Sequence, residues 1–229
     1  MNHIDLIGTL IEAWPLLWNG LKMTVYVTVV PLVIAMILGI LVCLMNISSV
    51  RPLRGVAKFY IWIIRGTPML VQGFYIYFAI PQLLQLITGS QFRIDIVTAT
   101  LITLTLNAGA YISEIFRGAI QSIDKGQMEA SRSLGVGYAT SMRKIILPQA
   151  IRVCLPSLVN QCIITLKDST IMYALGLPEI MNQARVFVGR TMESFATYTW
   201  VALIFLAIIS VLMVLSSILE KRMSKHDGA

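Results

Sequence analysis

Histidine is almost missing from this chain: only His3 and His226 occur, both near the ends. Histidine catalysis has no basis here. No GxxxxGK followed by Ser or Thr occurs anywhere, so the chain does not supply ATP chemistry itself. There is no HExxH, no Ser/His/Asp set and no metal-ligand cluster, which removes the usual grounds for a membrane enzyme. The three cysteines, Cys43, Cys154 and Cys162, form no CxxC pair, and their number is odd. No disulfide framework or metal site follows, and in apolar surroundings they read as small buried hydrophobes. A basic n-region with a short apolar core is also lacking at the start, around Asn2, His3 and Asp5. Insertion is expected to begin with the first span itself.

Charge is scarce as well. Only 13% of the residues are charged and 57% are hydrophobic, where a soluble domain carries nearer a quarter charged. The mean hydropathy is +0.78, the mark of a chain solvated by lipid. At about 20 apolar residues per crossing, the 229 residues hold roughly five helical spans and one substantial loop. The expected spans are 21–45, 57–80, 95–117, 148–170 and 198–219. Trp14 and Trp18 suit an interfacial aromatic belt before the first. Pro31 inside it predicts a kink rather than an end.

The net charge of +7 is not gathered on one face, so nucleic acid is not the expected partner; the cations sit between apolar blocks. Arg51, Arg54, Lys58 and Arg65 follow the first span. Arg117, Lys125, Arg132, Arg143, Lys144 and Arg152 follow the third, and Lys221, Arg222 and Lys225 form the tail. The opposite side holds only Lys22, Arg93, Arg185 and Arg190. The positive side is the cytoplasmic one, which puts the N-terminus outside and the C-terminus inside.

The longest cytoplasmic connection, about 118–147, has no Gly/Ser-rich stretch. Met128, Ser131, Arg132 and Gly135 are spaced as a short helix that Gly135 and Gly137 can break. A second short helix through Ser141–Ile146 then leads to Leu147-Pro148. Such a unit suits a docking surface for another protein; an amphipathic helix lying on the membrane is the plainer reading.

Glu129-Ala130-Ser131, Gly135 and Ile146-Leu147-Pro148 resemble the EAA loop of binding-protein-dependent ABC importers, with Ser131 standing where the family usually has alanine. Phe59 through Gln72, containing Arg65-Gly66-Thr67-Pro68-Met69-Leu70-Val71-Gln72, is similar to the RGTPxLVQ segment of polar amino-acid permeases. Ala110 to Gly118 is similar to a third-span signature of that family. Pro148-Gln149-Ala150 through Lys167-Asp168-Ser169-Thr170 continues the match, with Ser169-Thr170 in inverted order. The resemblance covers roughly residues 20–220. It implies an all-α integral membrane fold of the type I ABC importer permease kind, in a bacterial inner membrane. It also implies a second permease subunit, two ATP-binding subunits that hold ATP and Mg, and a solute-binding protein. Glu129, Ala130, Ser131 and Gly135 would then couple to the ATP-binding subunit.

Ionisable groups at membrane depth are costly and face a bundle interior or a cavity. Asn107, Tyr111 and Glu114 follow i, i+4, i+7 on one helix face. Asn160, Ile164, Lys167 and Ile171 share another. Lys167, Asp168, Ser169 and Thr170 concentrate a cation, an anion and two hydroxyls, the groups a zwitterionic amino acid requires. They are expected to line the substrate pathway; stabilising a helix break is the alternative. Asn107 and Tyr111 suit either a substrate contact or a packed polar pair. Arg65, Glu114 and Arg117 are expected to form structural ion pairs, Arg117 lying at i+3 from Glu114. After Gly176 and Pro178 a short helix at about 178–188 is expected at the outer end. A stand-alone ion-coupled transporter would need coupling-ion sites and usually an internal repeat, and leaves the loop at 126–148 unexplained. A membrane scaffold leaves the cluster at 167–170 unexplained.

Overall fold

The computed structural model describes residues 5–224; Asn2, His3, Lys225 and His226 lie outside that range. The helices are α1 (Leu6–Ile47), α2 (Arg51–Gly66), α3 (Met69–Thr88), α4 (Ile96–Ser122), α5 (Lys125–Ser133), α6 (Tyr138–Leu175), α7 (Ile180–Thr191) and α8 (Ser194–Ser224). Five of them, α1, α3, α4, α6 and α8, are long and apolar enough to cross a membrane.

The first span begins well before residue 21. The Asp5 carboxylate accepts a hydrogen bond from Gly8 N at 2.8 Å and caps the helix there. At 1.5 Å per residue, α1 is about 63 Å long, against about 30 Å of hydrocarbon. Pro31 sits buried inside it without ending it.

The second span is not 57–80. The chain breaks at Thr67, which is extended (φ −122°, ψ 144°) because the ring of Pro68 disfavours helix in the preceding residue. α2 is therefore a separate helix, and the span is Met69–Thr88. Pro81, expected to end it, does not. Just before it, Ile80 N reaches back five residues to Tyr75 O, closing a π-helical turn at Tyr75–Ala79. The wider turn gives the proline ring room where an ordinary turn would clash.

The same device recurs in the fourth span. Leu147 N donates to Met142 O, and the π-helical turn at Met142–Ile146 carries the helix through Pro148. The segment expected as a separate helix at Ser141–Ile146 is thus the first part of α6, which runs from Tyr138 rather than from 148. The loop expected at 118–147 contracts accordingly, since α4 continues to Ser122 and only α5 and its flanks remain outside the spans. The fifth span starts at Ser194, slightly earlier than expected.

α1 is the spine of the core. Ala35 packs with Ala108 and Ile112 of α4; Val27 packs with Leu104, Met172, Leu175 and Leu177. Its N-terminal part holds α7 through Ala13, Leu17, Ile180, Ala184 and Phe187. Gly20 is required at this crossing: a Cβ there would lie 2.6 Å from Ile180 Cα. Thr24 completes the joint, accepting from Ile180 N at 3.2 Å while donating to Gly20 O at 3.0 Å. α7 starts at Ile180, with Glu179 as its N-cap rather than as a first-turn residue. Glu179 Oε1 accepts from Asn182 N at 2.7 Å and Oε2 from Met181 N at 2.9 Å.

Two outcomes follow for stability in detergent. Gly20→Ala lowers the thermal midpoint, by the roughly 1–3 kcal/mol that overpacking costs; Gly55→Ala, with open space around it, does not. Glu179 is fully buried, and burial pushes its carboxyl up to about 7 despite the hydrogen bonds from Met181 and Asn182. The folded state therefore holds a proton that the unfolded state releases near the ordinary carboxyl value of 4.5. Stability is greatest below that value and falls as pH rises through about 7. Melting curves from pH 5 to 8 should decline with pH in the wild type, more steeply than in Glu179→Gln.

Candidate functional site

A charged knot sits where α1, α2 and α4 meet. Glu114 accepts from Arg117 Nε at 2.9 Å and Nη2 at 2.7 Å. Asn46 Nδ2 lies 3.2 Å from the same carboxylate, and Arg65 Nη1 is 3.7 Å away. The Arg65 guanidinium also stands 5.1 Å from the centroid of the Tyr111 ring, within cation–π range. Both oxygens of the carboxylate are engaged by this chain's own residues.

Gln72 holds the broken backbone beside the knot. Its Nε2 donates to Ile64 O (2.7 Å), Thr67 O (3.0 Å) and Thr67 Oγ1 (2.9 Å). The first two are carbonyls that the end of α2 would otherwise leave without partners. Gln72 Oε1 in turn accepts from Asn107 Nδ2 at 3.2 Å. Asn107 is thus buried in a packed polar pair and does not line the polar cavity beside the knot. Tyr111, one turn on, does.

That cavity, about 790 Å³, opens between α4, α6 and α8. Arg65, Tyr111 and Glu114 face Ser157, Asn160 and Gln161 across it, with Ser216, Ser217 and Glu220 of α8 closing one side. It offers a cation, carboxylates, amides and hydroxyls within one concavity. Among the described residues no three His, Cys, Asp or Glu side chains converge as a metal site would require.

The cluster expected at 167–170 is not brought together there. Ser169 is fully buried and donates to Leu166 O at 2.7 Å; Thr170 Oγ1 donates to Lys167 O at 2.7 Å. Asp168 does not line a cavity with Lys167 either. Lys167 and Thr170 border a second, mainly apolar cavity of about 570 Å³ with Leu70, Ile171, Tyr173, Met181 and Phe205. A helix places successive residues 100° apart, so four adjacent residues cannot share a face. The stripe Asn160, Ile164, Lys167 and Ile171 does share one: all four are exposed in this chain and run from the polar cavity to the apolar one.

The loop at the far end of α6 is compact. Asp124 caps α5 through Gly126 N at 2.6 Å, and Gly135 turns the chain at φ +80°, a conformation that glycine adopts without strain. Glu129 and Ala130 are exposed, and Leu134 is 83% exposed beyond them. Ser131 faces the other way. It is buried, and its hydroxyl donates to Ser141 Oγ at 2.6 Å; Ser141 passes its own proton to Gly137 O at 3.1 Å. The Ser131 side chain therefore offers nothing to an outside partner; it ties α5 to the base of α6.

Residues 32–225 match the model of the binding-protein-dependent transport system inner membrane component. The chain belongs to this family. The permease is 36% identical over 213 residues to the arginine transport system permease protein ArtQ of Bacillus subtilis, covering 93% of this chain and 94% of ArtQ. It is 37% identical over 211 residues to the glutamine transport system permease protein GlnP of Escherichia coli, covering 92% and 94%. Among solved structures it superposes on an amino acid ABC transporter crystallised with histidines, with a TM-score of 0.88 at 36% identity, covering 96% of this chain and 100% of that one. The MetNI methionine ABC transporter, at 18% identity and a TM-score of 0.63, shares the fold.

Several residues of the permease's cavity escape the sequence patterns. Asn160 and Gln161 stand out as polar breaks in an apolar block, but Ser157, Ser216 and Ser217 are ordinary in spans, and Glu220 reads as part of a polar tail. Gln72 was legible only as the end of a motif.

In hydrogen exchange of the purified permease, Ser131→Ala removes the bond from α5 to Ser141, whose own proton stays on Gly137 O, and should speed amide exchange across 125–141 by the roughly 0.5–1.5 kcal/mol net worth of one hydrogen bond. Ser141→Ala, which removes both the acceptor of the Ser131 hydroxyl and the side-chain bond to Gly137 O, should speed exchange at least as much.

Proposed function

We propose that this permease is one of two membrane-spanning subunits of an ATP-driven importer of polar amino acids. The observation that carries the reading is the 790 Å³ polar cavity, built on the same helix, α6, whose base is tied to the exposed loop. An amino acid brings an ammonium and a carboxylate, and the cavity meets them with Glu114, Glu220, Arg65, amides and hydroxyls. Arg65 and Glu114, already paired, set the field of the cavity; Asn160, Gln161, Ser157 and Tyr111 make the contacts. Further along, the stripe through Lys167 lines the route, and Asp168, Ser169 and Thr170 shape the end of α6. Arginine and glutamine, for which the two relatives are named, agree with this chemistry.

Two ATP-binding subunits, carrying ATP and Mg, dock at Glu129, Ala130 and Leu134 on the cytoplasmic face, and a solute-binding protein delivers substrate outside. ATP hydrolysis belongs to those partners. A second permease subunit, the same chain or a related one, covers α8: within its most apolar stretch of 18 residues only 6% are buried in this chain. The N-terminus is outside and the C-terminus inside, as the cation distribution requires. Closure of the ATP-binding subunits moves α5 and, through the Ser131–Ser141 bond, the base of α6; the two access states differ in these contacts.

The test is amino-acid uptake and ATP hydrolysis in lipid vesicles with the candidate ATP-binding subunit. Glu129→Arg should abolish coupled hydrolysis, and Asn160→Leu should cut uptake by tenfold or more with assembly intact. Uptake without any ATP-binding subunit would overturn the importer reading in favour of a stand-alone transporter.

A further inference from the structure

On the other side of Glu114 from the polar cavity lies a separate hollow of about 640 Å³, between the end of α1, α2 and α4. Its wall on α2 is one stripe: Arg54, Lys58, Ile61 and Trp62 recur at i, i+4, i+7 and i+8. Arg54 lines the hollow and binds Ser48 O through Nε (3.0 Å) and Nη2 (2.7 Å). Neither Arg54 nor Lys58 has an ion-pair partner among the described residues. The one carboxylate in the wall, Glu114, is taken up by Arg117 and Arg65. The hollow therefore carries uncompensated positive charge.

The stripe also changes character along its length. Its cationic end lies beside Gln121, in the last turn of α4 and hence near the membrane surface; its apolar end carries Trp62, 70% exposed, with the Phe59 ring 6.1 Å away. Phosphate outside and hydrocarbon inside is the profile of one lipid molecule, and basic hollows between spanning helices suit anionic headgroups. An amino acid has no hydrocarbon tail to match Trp62 and Phe59.

We propose that this hollow is a binding site for an anionic phospholipid, with the phosphodiester between Arg54 and Lys58 and an acyl chain along Trp62. The site requires only that the chain span a membrane, so it stands apart from the transport reading. Its test is native mass spectrometry of the full-length permease, titrated with phosphatidylglycerol or with phosphatidylcholine of the same chain length. Wild type should retain phosphatidylglycerol about tenfold better than phosphatidylcholine, and Arg54→Gln/Lys58→Gln should remove that preference. Trp62→Ala, at an exposed position that leaves folding intact, should weaken retention of both lipids. Arg93→Gln, outside the hollow, should change nothing. Equal retention of the two lipids by wild type overturns the site, as does an unchanged preference in the double variant. Displacement of phosphatidylglycerol by an equal concentration of glycerol 3-phosphate overturns the lipid in favour of a soluble phosphate.

Discussion

Hydrocarbon offers no water to a stray N–H or C=O, so any interruption of a spanning helix has to be mended by the protein itself. This permease interrupts its helices at Pro68, Pro81 and Pro148, and each repair is visible. The carbonyls freed before Pro68 are taken by the Gln72 amide. Before Pro81 and Pro148 the helix widens by one residue so that the backbone stays bonded. Gln72 then hands its own carbonyl oxygen to Asn107, which fixes α3 against α4. The position of Arg65 next to Glu114 follows from that anchorage, because Arg65 sits in the last turn of α2, just before the break.

One helix serves two ends of the molecule. α6 begins at the loop, where Ser141 receives the Ser131 hydroxyl, and passes through the cavity at Ser157, Asn160 and Gln161. It finishes at Leu175, packed on Val27 and Leu104. No flexible linker separates the loop from the cavity. α8, by contrast, is held lightly by this chain, and its inward serines complete the cavity only along one edge.

The fold class and the order of the spans were legible because lipid solvation leaves a coarse mark: long apolar blocks with cations on alternate sides. The loop was legible through Met128, Ser131, Arg132 and Gly135, whose spacing reflects a short helix and a turn at glycine. Boundaries were less so. A proline ordinarily ends a helix, and nothing in the residues around Pro81 or Pro148 announces a π-helical turn. The run Lys167-Asp168-Ser169-Thr170 looked like a site because its chemistry is adjacent in sequence, but helical rotation turns Ser169 inward and Lys167 outward. The residues that do converge, Tyr111, Ser157, Asn160 and Ser216, come from three helices. Only packing brings them together.

α6 runs 38 residues from Tyr138 to Leu175. At 1.5 Å per residue it acts as a lever about 57 Å long, and a tilt of about 5° at its base sweeps the far end through about 5 Å. Asn160, part-way along, would move about two-thirds as far as Ile171. A small rotation carried over from α5 would therefore grow along the route, from about 3 Å at the polar cavity to about 4 Å at the apolar one.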